Sequence, residues 1–513
     1  MPNPTGRERL NVSLRVRRVC ATDWRLTARC KPSRCADWRR LRDATSRFRL
    51  MLFNSFVFLV FFCVFMLGWP IARQTAPRRW IYIVVFSLFF YGWWDWRYVL
   101  LLVATGFVDF CAGLLIYRHR RIARPVLIFS IVVNLFVLGL FKYSFVVAQG
   151  LNASAAHFGL DLGLPVVQWI LPVGISFYTF QSMSYTIDVY QGKCEPTHSF
   201  LHFLAAISMF PHLVAGPIMR ASKLLPQLIE ARVPDRVERF EGLRLITHGY
   251  FKKVVIADNL ALTINDAFGG AASLHTGAEW WIIATMFAMQ IYCDFSGYSD
   301  IARGLAKWMG YEFTLNFAHP YTSTSLREFW ERWHISLSTW FRDYVYIPLG
   351  GSRRGELLGH RNLFITMVLS AIWHGPGLTY VMWGVIHAGF LSLERATGWP
   401  QRLSRLPLGA VAGWAIVVAQ VWIAWIFFRA TSIEQALGIV GRMLSPSSLS
   451  INFSTTALLF LAVGVVHEFY TWRLDKRSDT RTIPAWEAAT LVLTLVACVF
   501  FRGPGNTFIY FQF

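Results

Sequence analysis

Two histidines in apolar surroundings carry the clearest chemical signal in the sequence. His374 closes the run NLFITMVLSAIWH and is the only titratable side chain between Asn362 and Thr379. A neutral imidazole tolerates an apolar site better than a carboxylate does, and it can take up a proton as a general base. A helix cap or a hydrogen-bonded core histidine would use the same residue type, so the spacing leaves both interpretations open.

His334 lies in a second stretch, ERWHISLSTWFRDY, that is rich in polar and aromatic residues. Two sets recur there at helical spacing, a polar set of Glu331, His334, Ser338 and Arg342 and a largely aromatic set of Trp333, Leu337, Trp340, Phe341 and Tyr344. The pattern predicts one amphipathic helix with a polar stripe. A histidine on such a stripe is usually just solvated, and Asp343 either orients His334 or pairs with Arg342.

Four cations flank these segments: Lys252, Lys253, Arg353 and Arg354. For each one taken singly, snorkelling to the membrane interface or plain solvation is expected. Two carboxylates in the run YCDFSGYSD, Asp294 and Asp300, are expected to satisfy buried backbone groups or Arg303.

Composition places these residues in a membrane protein. The chain of 513 residues is 55% hydrophobic and only 15% charged, with a mean hydropathy of +0.41. Apolar runs that can cross a hydrocarbon core of about 30 Å recur along it. They cover residues 51–71, 81–94, 98–117, 126–148, 169–190, 280–295, 363–373, 408–428, 455–466 and 485–501. Residues 200–220, interrupted by prolines and a glycine, predict a re-entrant or interfacial element instead.

The net charge of +21 is concentrated at the start of the chain. Residues 1–50 hold 14 Lys or Arg and 4 Asp or Glu, and no apolar signal segment. The arginine-rich loops at residues 73–79 and 118–124 predict a cytoplasmic side, which places the start of the first span outside. Fourteen basic residues before that span oppose this orientation. We therefore expect translation to begin at Met51; a disordered cytoplasmic tail is the alternative.

Several classes of function are excluded by missing motifs. The sequence contains no GxxxxGK[ST] loop of a nucleotide-driven pump and no GxSxG nucleophile elbow. It contains no CxxC pair or Cys/His cluster, so neither a zinc site nor a disulfide framework is supported. The basic charge follows the positive-inside rule, and no nucleic-acid partner is predicted.

The motifs FWERWHISLSTWFRDYVYIPLGG and IWHGPGLTYVMWG closely resemble the signature of the membrane-bound O-acyltransferase (MBOAT) family. Further stretches resemble its bacterial polysaccharide branch: MLFNSFVFLVFF, FPHLVAGPIMR, FKKVVIADNLA, QIYCDFSGYSDIARGLA and NFAHPYTSTSLREFW. The resemblance runs from Met51 to near the C-terminus, as a single domain of residues 51–513 with a motif core at about 200–395. Ala371-Ile372 replaces an expected Gly-Leu-like pair and leaves His374 in place.

The resemblance implies a ring of roughly 10–12 transmembrane helices, with re-entrant or interfacial helices around a central tunnel. It implies that His374 is the essential membrane-embedded histidine and His334 the second motif histidine, with Trp373, Arg342 and Asp343 in support. It also implies an acetyl thioester donor such as acetyl-CoA, no bound cofactor or metal, and a place in the bacterial inner membrane. The phosphate groups of such a donor would be attracted from the cytoplasm by Lys252, Lys253, Arg353 and Arg354. A separate periplasmic acetyltransferase would then modify an exopolysaccharide such as alginate.

Other functions remain open from the sequence. Within the enzyme class, the acceptor can instead be peptidoglycan, or the donor can be a D-alanyl carrier protein. A transporter or flippase would use the broken helix at residues 375–377 as a gate and would transfer no acyl group. A non-catalytic scaffold of an exopolysaccharide complex would tolerate replacement of both histidines.

Overall fold

The computed structural model describes residues 51–513 apart from residues 168, 231, 354, 446–450, 477–483, 506–507 and 509–513. The predictions for residues 1–50 and for Arg354 lie outside the described residues. Within the described ranges the regular secondary structure is helical, without strands. The all-α class predicted from the sequence is confirmed.

The first helices of the chain are mostly apolar. They are α1 Phe56–Ala72, α2 Ala76–Gly92, α3 Arg97–Arg118, α4 Ala123–Lys142, α5 Ser144–His157 and α6 Ile175–Tyr190. α3, α4 and α6 pack against one another. Two predicted spans differ in detail: the run 126–148 is interrupted at Tyr143, and the run 169–190 is helical only from Ile175.

The middle of the chain contains shorter, more irregular helices and one long one. They are α7 Phe200–Ser208, α8 Phe210–Leu213, α9 Ala221–Ile229, α10 Arg236–Tyr250, α11 Asp258–Gly269, α12 Gly277–Met309, α13 Leu326–Arg332 and α14 Ile335–Phe341. A wide helical turn over Phe251–Ala257 joins α10 to α11. The prediction that residues 200–220 form a broken element agrees with the breaks around α7 and α8.

The last helices are again mostly apolar. They are α15 Glu356–His374, α16 Leu378–Thr397, α17 Trp399–Leu403, α18 Gly409–Arg429, α19 Ile433–Leu444, α20 Thr455–Asp475 and α21 Ala485–Phe500. By length and composition, four helices of the described part can cross a bilayer: α3, α4 with its preceding turn, α18 and α20. α1 and α21 are apolar but shorter. The chain is a polytopic membrane protein, and the number of 10–12 spans stays a prediction.

Two pairs of glycines bring α10 and α12 into backbone contact. A Cβ on Gly249 would lie 2.6 Å from the carbonyl oxygen of Gly297, and a Cβ on Gly304 would lie 2.5 Å from that of Gly242. The earlier glycine of α10, Gly242, faces the later glycine of α12, Gly304, so the two helices are antiparallel. Small residues allow this approach without a side chain between the backbones. α12 thereby becomes a central support, against which α18 and α19 also pack.

Contacts between helix ends place the arginine-rich loops on one side of the molecule. Arg79 donates to the carbonyl of Ile229 at 3.2 Å, and Arg120 donates to the carbonyl of Tyr190 at 3.4 Å. α9, which ends at Ile229, packs against α6, which ends at Tyr190. We call this side the basic face. Lys142 lies at the other end of α4 and therefore belongs to the opposite face.

Candidate active site

His334 lies at a break between two short helices. α13 ends at Arg332, α14 begins at Ile335, and His334 has a φ of 43° in the left-handed region. A residue other than glycine is strained there and keeps this conformation only when its surroundings hold it. The prediction of one continuous amphipathic helix with a polar stripe is therefore wrong. The Glu331 side chain is 61% exposed, whereas His334 is only 1% exposed, so it is not a solvated surface histidine.

Asn316 holds the buried His334 ring. The Asn316 side-chain oxygen accepts hydrogen bonds from the backbone N–H of Ser336 at 3.2 Å and from its hydroxyl at 2.9 Å, which fixes the orientation of the amide. His334 Nδ1 lies 3.1 Å from the same oxygen and must donate to it. The lone pair of a neutral imidazole is then on Nε2. His334 lies outside the membrane-spanning helices, and burial lowers its pKa to about 3, so the ring is neutral.

His374 lies at the tip of a helical hairpin. α15 ends at His374 and α16 begins at Leu378, so the break predicted at Gly-Pro-Gly is confirmed. A Cβ on Gly384 would lie 2.7 Å from the Cβ of Ala371, and a Cβ on Gly359 would lie 2.8 Å from the Arg395 guanidinium. These contacts make the helices antiparallel, so the chain returns to the side from which it came.

Aromatic rings enclose His374 and connect it to His334. Trp383 and Phe428 each lie 5.3 Å from the His374 ring, edge to face. The Trp373 ring lies 5.0 Å from His374 and 6.3 Å from His334. The structure thus brings both predicted histidines together, with Trp373 between them, in a buried and largely apolar region.

Two cavities approach this pair from opposite faces. The larger, of about 400 Å³, includes Phe317, whose ring lies 6.2 Å from His334. It also includes the exposed Glu312, whose backbone N–H donates to Gln227 of α9 at the basic face at 2.8 Å. The smaller, of about 70 Å³, is lined by Lys142, Trp373 and His374 and lies at the opposite face. We call them the basic-face cavity and the outer pocket. The two histidines lie between them.

The basic-face cavity is lined by charges that compensate one another. The pairs are Arg244–Glu487 at 3.3 Å, Lys252–Asp300 at 2.9 Å, Lys307–Glu241 at 3.2 Å and Lys307–Glu312 at 3.0 Å. His319 adds a further pair of contacts, to Glu468 at 2.7 Å and to Asp475 at 3.1 Å. The cavity is therefore polar without a large excess of one sign.

Lys252 and Lys253 are both buried, so the prediction that they snorkel to the interface is wrong. Lys252 lines the basic-face cavity beside Asp300. Lys253 contacts Asp258 at 2.9 Å and Asp294 at 2.6 Å and does not line that cavity. Carboxylates thus compensate the lost hydration of each ammonium group. Of the remaining two predicted cations, Arg353 is exposed, and Arg354 lies outside the described residues.

Asp343 forms ion pairs and has no hydrogen bond to His334. It contacts Arg342 at 2.7 Å and Arg220 at 2.5 Å. Although burial opposes the effect, hydrogen bonds from Arg342 and Arg220 lower the pKa of Asp343, which stays ionised. The two interpretations left open for Asp343 are thus resolved in favour of the ion pair. These ion pairs join the residues just after α14 to Arg220, the residue before α9, and so hold the helix that follows His334.

Comparison with known proteins identifies the family. The sequence profile of the membrane-bound O-acyltransferase (MBOAT) family matches residues 196–435, which include both histidines. A probable alginate O-acetylase, AlgI, of Pseudomonas aeruginosa is 38% identical over 458 residues, covering 88% of this chain and 81% of that protein. The chain belongs to the membrane-bound O-acyltransferase family. It is an acyltransferase, as the resemblance predicted.

Two further relatives span the range of acceptors within the family. A peptidoglycan O-acetyltransferase of Helicobacter pylori is 33% identical and covers 80% of this chain and 83% of its own length. A teichoic acid D-alanyltransferase of Bacillus subtilis is 25% identical and covers 66% of this chain and 86% of its own length. The acyl group and its acceptor therefore differ among MBOAT relatives.

Sequence reasoning missed two residues that build this acyltransferase site. Asn316 lies in the quoted motif NFAHPYTSTSLREFW, but nothing in the local pattern connects its side chain to His334. Lys142 could have been found from the sequence, because it is the only charged residue between positions 126 and 148. An ionisable side chain within an apolar span is a functional candidate by default.

Proposed function

We propose that this chain moves an acetyl group from a cytoplasmic thioester to an acceptor on the opposite face, for O-acetylation of an exopolysaccharide such as alginate. One observation carries the proposal: two buried histidines, bridged by Trp373, lie between the basic-face cavity and the outer pocket. A donor and an acceptor can then approach from different sides and meet at imidazole groups.

The proposed chemistry is general-base catalysis by His374. The imidazole removes the proton from an acceptor hydroxyl as the oxygen attacks the thioester carbonyl carbon. The tetrahedral intermediate then expels the thiolate, which takes the proton back from the imidazolium. General-base help of this kind contributes about 10²–10⁴-fold. We assign to His334 the orientation of the reacting groups, because Asn316 holds its ring with the lone pair on Nε2.

Acetyl-CoA is the proposed donor, with another acyl thioester as the alternative. The basic-face cavity would receive the acyl-bearing arm, because its ion pairs make it polar but nearly balanced in charge. Lys252 is the proposed cation nearest that arm. Arg353 and Arg354 remain proposed phosphate-attracting groups, whereas Lys253 is engaged with two carboxylates away from the cavity.

The proposed location is the bacterial inner membrane, with the basic face in the cytoplasm. A periplasmic acetyltransferase is the proposed partner, and it would pass the acetyl group to the polymer. The 38% identity to AlgI supports this acceptor over two alternatives, peptidoglycan and D-alanyl transfer, which rest on relatives of 33% and 25% identity.

Replacement of His374 tests the proposal. We expect His374→Ala to abolish acetylation of the host polymer while the protein still accumulates in the membrane, as measured by polymer-bound acetate and immunoblotting. His202→Gln is the matched control, because the His202 ring is also buried but bonds to Thr197 and the Leu225 carbonyl and stacks on Trp80. Normal acetylation by His374→Ala would refute the catalytic assignment.

A further inference from the structure

Lys142 and Tyr143 close the end of the helix that carries His374. In a continuing helix, the carbonyl of Ile372 would accept from the N–H of residue 376, which is a proline and has none. The carbonyls of Trp373 and His374 also lose their helical donors, because α15 ends at the Gly-Pro-Gly break. Three successive carbonyls next to the proposed base therefore need donors from elsewhere.

Two consecutive residues of α4 and its terminus supply all three. The Tyr143 hydroxyl donates to the carbonyl of Ile372. The Lys142 ammonium donates to the carbonyls of Trp373 at 2.5 Å and His374 at 2.8 Å. We call these two residues the Lys142–Tyr143 couplet, and they lie more than 200 positions earlier in the chain than α15. It is a C-terminal cap for α15 provided by another helix.

The charge of Lys142 suits this position. Lys142 is itself the last residue of α4, so its ammonium lies where the C-terminal ends of α4 and α15 meet. Helix C-termini carry partial negative charge, and a cation there is stabilising. Lys142 forms no ion pair with a carboxylate in the described part of the chain. Its ammonium has three N–H groups, and carbonyls take two, while the side chain lines the outer pocket with His374.

We propose that the Lys142–Tyr143 couplet is a positioning unit for the acyl-transfer step, with Lys142 as its principal residue. It fixes the last turn of α15 and hence the His374 imidazole, and it places the Lys142 side-chain nitrogen beside the pocket from which the acceptor hydroxyl comes. This inference rests on the proposed role of His374. The couplet lies on the side of His374 away from the basic-face cavity, so it acts on the chemical step and not on donor binding.

Kinetics in inverted membrane vesicles test the proposal, with labelled acetyl-CoA as the donor probe and the full-length chain with its membrane partners. We expect Lys142→Met to lower kcat about 10²-fold, the cost of misplacing a catalytic group by about 1 Å. The KM for acetyl-CoA should stay within twofold. Lys142→Arg, which keeps a cation with several donors, should recover a large part of kcat.

A milder pair of variants covers the case in which Lys142→Met does not accumulate. Tyr143→Phe removes one cap hydrogen bond and should lower kcat several-fold at unchanged KM. Tyr98→Phe is its control, because the Tyr98 hydroxyl also donates to a backbone carbonyl, that of Ile170 at 2.9 Å, and not to a carbonyl of α15. Tyr98→Phe should keep the wild-type kcat.

The outcomes separate this inference from the proposed function. Wild-type kcat in Lys142→Met or in Tyr143→Phe, or a change confined to KM, would overturn the positioning role. If His374→Ala is inactive in the same vesicles, the proposed function stands even then. If His374→Ala still transfers acetyl groups, the catalytic assignment of His374 fails and the inference fails with it.

Discussion

At the scale of single residues, the site depends on side chains that hold its histidines. His334 keeps a left-handed backbone, and its ring is held through one oxygen atom of Asn316. That oxygen also accepts from the backbone and hydroxyl of Ser336, while the Asn316 amide donates to Ser299 at 3.1 Å. Asn316 therefore combines three roles: it stabilises a strained turn, selects a tautomer and links the turn to α12.

Asn316→Ala should impair both stability and activity. The change leaves His334 Nδ1 and the Ser336 groups without their acceptor in a buried site, at a cost of about 1–3 kcal/mol. We expect a lower melting temperature in detergent and a fall in acetyl transfer of about 10²-fold, from misplacement of the ring. Asn152→Ala is the control, since Asn152 bonds only the backbone of Leu164 at a distant loop. Equal effects from both variants would show that Asn316 has no special relation to the site.

At the scale of helices, the sequence predicted the pieces that depend on local chemistry. The break between α15 and α16 follows from Gly-Pro-Gly, because proline removes a donor and glycine allows close approach. The break at His334 could not be predicted in the same way, since α13 and α14 keep helical spacing on both sides of it. The hydrogen bonds from Lys142 to the end of α15, and those that Asn316 forms with His334 and Ser336, join residues that are not neighbours in sequence. No local sequence pattern therefore predicts them.

The contact between α10 and α12 gives a prediction at this scale. Gly297→Ala places a methyl group 2.6 Å from the carbonyl oxygen of Gly249, and neither backbone can move without disturbing the helix pair. We expect a clear loss of folded protein, measured by size-exclusion chromatography in detergent. Gly139→Ala is the same chemical change within α4, where no described atom beyond its chain neighbours and the backbone of its own helix lies within 4 Å of the added Cβ. It should leave the folded yield unchanged or slightly higher, because alanine favours helix more than glycine does.

At the scale of the whole molecule, the two histidines lie where separate parts of the chain converge. α12 supports His334 through Ser299 and Phe295, whose ring lies 4.6 Å from the imidazole. α18 supplies Phe428 against His374, and α4 caps α15 from the opposite face. This convergence fits the predicted single domain of residues 51–513. The short segment from Asn316 to His319 also joins the basic-face cavity to the site, because His319 lines the cavity and Asn316 holds His334.

His319 makes the stability of the folded protein sensitive to pH. Its ring bridges Glu468 and Asp475 of α20, and its backbone, like that of His334, is in the left-handed region, with a φ of 51°. Although burial opposes protonation, the hydrogen bonds that the His319 ring donates to Asp475 and Glu468 raise its pKa to about 9. A raised pKa means that the folded state holds the proton more tightly than the unfolded state does. The stabilisation is therefore complete below the unfolded pKa of about 6.5 and is lost as the pH rises through about 9.

We expect the melting temperature of the wild-type protein to fall between pH 7.5 and pH 9.5 by more than that of His319→Gln. Glutamine keeps hydrogen-bonding capacity but carries no titrating charge, so the variant retains every other alkaline transition and isolates this one. At pH 7.5 the variant should be less stable than the wild type, and near pH 9.5 the two should converge, because the wild-type imidazolium has lost its proton. A constant difference between the two melting temperatures across this range would show that His319 is neutral in the folded protein and that its carboxylate contacts do not hold a charge.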